Sequence, residues 1–353
     1  MKTSLLLNLS LACCSLLCAL LLGEGFLRLR FLAWPFEPAP RRQSHLTGRD
    51  AALGWRLPRE QGTNSLGLRN RELAAKKPEV FRVLFLGDSL LWIGDTSDGR
   101  LHTQVIEENL NRAMPTPHRV EVINAGVPGY TTYQEAEFLK AYGLAMEPDL
   151  VVVCFVLNDV YPRYLHRPSR EEMFPFDPAA RLHRFDGTRF PGRLFARSYL
   201  AHEAAYSFEI VRQFFGFAPS FSFQHRDDFY LAWKSHGWAE SAKLLEAMQH
   251  VLHPTGAPLA LVVFPIRDQL EARNLDRDRD YVLSPQRRLR TLCEQRKIPY
   301  HDLTEALLAG GGPRLFADHV HLTARGNDLV AVEVTRFLLE DTAFRFAGWT
   351  SGL

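Results

Sequence analysis

Three short apolar runs, each stopping at a polar or glycine-bearing cluster, constrain this chain more than any other feature. Phe81-Arg82-Val83-Leu84-Phe85-Leu86 ends in Gly87-Asp88-Ser89, Val120-Glu121-Val122-Ile123 ends in Asn124-Ala125-Gly126, and Leu150 to Phe155 ends in Leu157-Asn158-Asp159. Runs of this length, rich in Val, Leu and Phe, read as buried strands. Leu259 to Phe264 and Tyr300 to Leu303 add two more. The pattern predicts helices between and after them, over His102 to Ala113, Thr132 to Ala145, Ala239 to Leu252, Ser284 to Arg296 and Thr323 to Leu339. Strands separated by single helices form a parallel sheet covered on both faces. Ligands of such sheets lie beyond the carboxyl ends of the strands, so the polar residues after each run are the ones to inspect.

Composition agrees with a globular α/β protein. The 353 residues are 46% hydrophobic and 23% charged, too apolar for a disordered chain. Lys and Arg number 42 against 40 Asp and Glu, which gives no electrostatic reason to seek nucleic acid. Three of the five cysteines, Cys13, Cys14 and Cys18, lie in the apolar N-terminal run, leaving only Cys154 and Cys293. No cysteine or histidine spacing suits zinc, and neither a phosphate-binding loop nor a dinucleotide fingerprint occurs. No cofactor and no metal is expected.

The run Leu5 to Leu22 is 18 residues long, about the shortest stretch that spans a bilayer as a helix. It is longer than the core of a cleaved signal and lacks a good cleavage site, so an uncleaved anchor over residues 1–34 is expected. Arg28, Arg30, Arg41 and Arg42 after the run outnumber Lys2 before it, which favours a cytoplasmic C-terminal side. Uncleaved N-terminal signals usually export the chain on their C-terminal side, and an extracytoplasmic domain is the expectation. Pro35, Pro38 and Pro40 open a linker or strap over 35–78, with a turn at Asn64-Ser65-Leu66-Gly67. The main domain is expected over 79–340, interrupted by an insertion at 162–234 that holds 12 of the 24 phenylalanines, and with a tail at 341–353. The insertion reads as a lid or acyl pocket over the site, as a helical subdomain with its own core, or as a membrane-surface contact.

Four positions carry candidate chemistry. Ser89 stands where a strand turns toward a helix and could act as a nucleophile or merely cap the helix. Gly126 could bring its N–H to an oxyanion or be a plain loop glycine. Asn158 could donate its amide to an oxyanion or close an Asx turn. In Asp318-His319-Val320-His321, a carboxylate and an imidazole three residues apart can meet, leaving the other ring nitrogen as a base; an exposed charged loop is the alternative. His319, adjacent to Asp318, is poorly placed for that contact, and Thr323 is the expected cap of the last helix.

The order of these pieces, Ser after the first strand, Gly after the second, Asn after the third and Asp-x-x-His before the last helix, resembles the SGNH (GDSL-type) hydrolase family over residues 79–340. The stretch Asn64 to Arg69 looks like that of membrane-anchored bacterial members. The resemblance implies a flavodoxin-like three-layer fold, here with an N-terminal transmembrane helix, and hydrolysis of acetyl, lipid or thioester substrates. It implies Ser89 as nucleophile, Ser89, Gly126 and Asn158 as oxyanion donors, and His321 with Asp318 as base and orienter. Small-molecule, lipid or glycan esters would be the substrates, with the membrane as the other partner. Two alternatives use the same fold: an O-acyltransferase acting on a cell-envelope glycan, and a binding module without catalysis. One departure bears on Asn158: Val156 stands where the family usually has glycine.

Overall fold

A computed structural model describes residues 2–33, 48–50, 53–56, 62–160, 185, 190–215 and 229–341. These residues fall into two compact units, one drawn from 1–43 and 167–218, the other from 44–166 and 219–353.

The larger unit is built on five parallel strands: β1 (Val80–Gly87), β2 (Arg119–Gly126), β3 (Leu150–Phe155), β4 (Leu259–Val263) and β5 (Tyr300–Asp302). Their spatial order is β2-β1-β3-β4-β5. The chain therefore steps one way from β1 to β2 and then back across β1 to β3, which opens a crevice at the carboxyl ends of β1 and β3. All six residues of β3 and all five of β4 are buried, as expected for strands covered on both faces.

Helix α1 spans Lys2–Ala33, α2 His102–Ala113 and α3 Thr132–Phe138, which continues through a widened turn to Gly143. Next come α4 (Tyr199–Phe214), α5 (Trp238–Leu252), α6 (Ala272–Val282), α7 (Ser284–Arg296), α8 (Thr304–Gly310) and α9 (Ala324–Asp341). Helix α2 packs beside α9, and α3 beside α5, supplying the covering layers of the flavodoxin-like arrangement. Thr323 caps α9 as expected, accepting the Gly326 N–H at its hydroxyl.

One buried cation ties the amino ends of the sheet together. Arg82 of β1 lies in register with Glu121 of β2 and holds it through Nε at 2.6 Å. Its other nitrogens donate to the Met146 carbonyl and to the Ala74 carbonyl of the strap. Every partner is satisfied, which is what makes a charge tolerable in a buried strand. The strap itself is not wholly irregular: Gly48–Asp50 and Gly54–Arg56 form a short antiparallel ladder. The expected turn at Asn64 is present, its Oδ1 accepting the N–H groups of Leu66 and Leu68, each at 3.0 Å.

The smaller unit pairs α1 with α4. Glu24 of α1 accepts hydrogen bonds from the Ser198 hydroxyl and from the N–H groups of Tyr199 and Leu200, so it caps α4 from outside. Arg28 pairs with Glu24 and donates to the Arg197 carbonyl. The 20 residues Ser10–Leu29 are apolar and long enough to cross a membrane. Residues 190–215 of the insertion thus form a helical element with α1, although much of 162–234 lies outside the described residues, as do parts of the linker and most of the tail.

Two strand ends carry glycine for a steric reason. Gly87 and Gly126 stand opposite one another in β1 and β2, and Leu91 of the following turn packs against both. A Cβ on Gly126 would lie 2.3 Å from the Leu91 Cβ and 3.1 Å from the Asp88 carbonyl. Neither neighbour is a flexible tip that could swing aside. Gly126→Ala is therefore expected to destabilise the fold by ~1–3 kcal/mol, the usual cost of overpacking, measured by urea unfolding. An unchanged midpoint would show that the close approach is not a constraint.

Candidate active site

The turn after β1 begins at Asp88, not at Ser89. Asp88 Oδ1 accepts the Leu90 N–H at 2.9 Å and caps the single helical turn Ser89–Trp92. Ser89 is thereby released from capping, and its hydroxyl lies 2.8 Å from His321 Nε2. His321 Nδ1 lies 2.6 Å from Asp318 Oδ2. A carboxylate can only accept, so Nδ1 carries the ring proton and Nε2 presents its lone pair to the serine.

The loop holding His321 is closed on itself. Asp318 Oδ1 accepts the N–H groups of Val320 and His321, each at 2.8 Å, and the Ala317 N–H donates to the His321 carbonyl. Partial burial works against charge on Asp318, but the hydrogen bonds from the His321 ring and from these two N–H groups outweigh it and hold the carboxyl down at about 2. His319 Nδ1 is 3.9 Å from Asp318, beyond hydrogen-bond reach, and its ring packs instead against Phe229.

Asn158 follows β3 on the turn Leu157–Val160. Its side chain does not close an Asx turn; Nδ2 donates to Asp88 Oδ2 at 3.1 Å. One amide hydrogen is used there and the second is left over. Val156 is fully buried in the core, and its N–H donates to Asp159 Oδ2 at 2.7 Å. Asp88 thus joins the serine turn to the asparagine turn, a role the sequence reading missed although the residue adjoins Ser89. Burial pushes the Asp88 carboxyl up, against the opposing pull of Leu90, Asn158 and His321.

Gly126 is differently engaged from the other candidates. Its N–H donates to Asn124 Oδ1 at 2.9 Å, so the group expected to meet an oxyanion is already engaged, and the close approach this glycine permits is to Leu91. The next glycine in the same loop is placed differently. Val127-Pro128-Gly129-Tyr130 is a turn closed by the Tyr130 N–H on the Val127 carbonyl, with Gly129 at φ 79°. Its N–H has no hydrogen-bond partner among the described residues. The Pro-Gly pair was the sequence signal for it.

The exit of the serine turn is braced from two sides. Arg69 of the strap donates to the Trp92 carbonyl, pairs with Asp95 at 3.0 Å and lies over the Trp92 ring. His102 is buried with Nδ1 at 3.0 Å from the Gly94 carbonyl, and burial lowers its imidazole to about 4, so it stays neutral. Among the described residues no cluster of His, Cys, Asp or Glu is arranged to hold a metal ion.

The GDSL-like lipase/acylhydrolase family model matches residues 85–329. No curated protein matches the chain. Among solved structures, the lipase/acylhydrolase from Enterococcus faecalis is 15% identical, with 73% of this chain and 95% of that one covered and a TM-score of 0.40. The acetyl xylan esterase AlAXEase is 18% identical over 72% and 98%, with a TM-score of 0.42. A catalytic mutant of Axe2, an acetylxylan esterase from Geobacillus stearothermophilus, is 17% identical over 73% and 94%, with a TM-score of 0.44. None of these likenesses is close enough to carry a substrate over. The family match, spanning more than half of the sequence, is decisive: the chain belongs to the GDSL-like lipase/acylhydrolase family and is a hydrolase acting on ester bonds.

Proposed function

We propose that this protein is a serine esterase whose nucleophile is Ser89 and whose base is His321, oriented by Asp318. The observation that carries the reading is the continuous relay from Ser89 Oγ to His321 Nε2 at 2.8 Å and from His321 Nδ1 to Asp318 Oδ2 at 2.6 Å. His321 takes the hydroxyl proton as Oγ attacks the acyl carbonyl, and then gives it to the leaving alcohol. Water, deprotonated by the same imidazole, releases the acid from the acyl-enzyme and restores Ser89. The negative charge on the tetrahedral oxygen meets the Ser89 N–H at the start of the helical turn and the second amide hydrogen of Asn158. Gly129, whose N–H has no partner among the described residues, replaces Gly126 as the third donor in this scheme.

Hydrolysis of p-nitrophenyl acetate, butyrate and a long-chain ester by the full-length protein in detergent tests the reading. Ser89→Ala and His321→Ala are each expected to lower kcat by ~10³-fold or more, whereas His319→Ala keeps most of the activity. Asp318→Asn should approach His321→Ala, because an amide favours the wrong tautomer. The Asp318 carboxyl sits below its ordinary range, so its contribution is present at neutral pH and lost only as pH falls through about 2. No feature of the pH–rate profile at working pH should therefore belong to it. A dead His319→Ala beside a live His321→Ala would overturn the assignment of the base.

We further infer that α1 is an uncleaved anchor holding the catalytic domain outside the cytoplasm. The apolar stretch Ser10–Leu29 and the capping of α4 by Glu24 support retention of the helix, since cleavage near its end would remove that cap. Full-length protein should stay in the membrane fraction after a carbonate wash, and protease added to intact spheroplasts should digest the domain. A soluble mature form, or a domain protected from protease, would contradict the anchor or its orientation respectively.

A further inference from the structure

Ser89 and His321 are 232 positions apart in the sequence, yet their side chains meet at 2.8 Å. That contact is one tie between the two segments, and a second lies further along each. Asp95 follows Ser89 by six residues, and Asn327 follows His321 by six. Asn327 is 3% exposed, and its Nδ2 donates to the Asp95 carbonyl at 2.9 Å. The next residue, Asp328, accepts the Ser97 N–H at 3.1 Å. Both stand at the start of α9, which is locked to the loop of His321. The Thr323 N–H donates to the Leu315 carbonyl at 2.7 Å, and the Asn327 N–H to the Thr323 carbonyl at 2.9 Å.

Asp95 is held from the strap as well. Arg69 pairs with its carboxylate at 3.0 Å, donates to the Trp92 carbonyl through another nitrogen and lies over the Trp92 ring. Both partners of the ion pair are partly exposed, and such a pair alone stabilises little. What the guanidinium supplies is a rigid fork that fixes two groups three residues apart. The strap delivers that fork on a tethered backbone. Asn64, 4% exposed, accepts the Leu66 and Leu68 N–H groups, and its Nδ2 donates to the Arg71 carbonyl at 3.2 Å. The stretch Asn64 to Arg69, which the reaction does not touch, thus ends in a grip on the chain leaving Ser89.

Resting on the esterase reading, we propose that Arg69 and Asn327 are positioning residues of the reaction: they grip Asp95 from the strap and from α9, and so hold the Ser89 turn and the His321 loop at the separation that proton transfer needs. The Ile93 N–H closes the serine turn on the Ser89 carbonyl at 2.8 Å, so a shift at Asp95 passes back to Ser89 through one short turn. On the other side, Asn327 reaches His321 through Thr323. Proton transfer tolerates little slack, since a misplacement of about 1 Å can cost ~10²-fold in rate.

Arg69→Ala and Asn327→Ala, made in the full-length protein, are each expected to lower kcat about tenfold at nearly unchanged KM, because the misplaced pair is missed only in the transition state. A double-mutant cycle on the rate of fluorophosphonate labelling separates positioning from general damage. In a His321→Ala background there is no base left to misplace, so adding Asn327→Ala or Arg69→Ala should change the residual rate less than about twofold. An equal loss in both backgrounds, or wild-type kcat in both single variants, would overturn the positioning role. A second readout needs no activity. Arg69→Ala should speed amide hydrogen exchange several-fold across 317–323, which Arg69 does not touch, and Asn327→Ala should do so across 89–93. Faster exchange confined to the altered side in each variant would overturn the grip itself. A wild-type protein without any esterase activity would instead overturn the reading of the site, with exchange still deciding whether Asp95 joins the two segments.

Discussion

Two short turns from different strands must be held in one geometry for this site to exist, and a buried carboxylate holds them. Asp88 takes the Leu90 N–H with one oxygen and the Asn158 amide with the other. The first contact starts the helical turn of Ser89; the second aims the side chain of Asn158. The strand order makes the bridge possible, since β1 and β3 are neighbours whose following chains diverge. Leu91 then packs into the space left by Gly87 and Gly126, and Arg69 and His102 secure the exit of the turn. His321, the proposed base, arrives from the far end of the sequence on a loop closed by its own hydrogen bonds.

The strands and the principal helices were legible because burial on both faces leaves a continuous apolar run, and because helical periodicity survives in α2, α5, α7 and α9. Leu150–Phe155 and Ser284–Arg296 agree with the sequence reading to the residue. The helices that escaped it are α4, α6 and α8. Helix α6 carries six charged residues among its eleven, so no apolar stripe announces it. Helix α4 is capped by Glu24, which lies 175 residues from Tyr199, and no local signal could reveal such a partner. At the site, the spacing of Asp318 and His321 was readable because the contact is local. The direction of the Gly126 N–H was not, because it depends on how the Asn124 side chain turns back.

The arrangement also separates roles among the carboxylates. Asp318 is partly exposed, surrounded by donors and held charged. Glu135 lies in the interior with no donor, where burial favours its neutral form. Asp88 lies between these cases, buried yet fully engaged. Environment alone gives one chemical group three different surroundings.

The central claim is that Ser89 is the residue that becomes acylated. Treating the full-length protein with a fluorophosphonate and mapping the modified peptide by mass spectrometry tests it most directly. The account predicts a single adduct on Ser89, absent in Ser89→Ala and formed far more slowly in His321→Ala. An adduct on another residue, or undiminished labelling of Ser89→Ala, would contradict it.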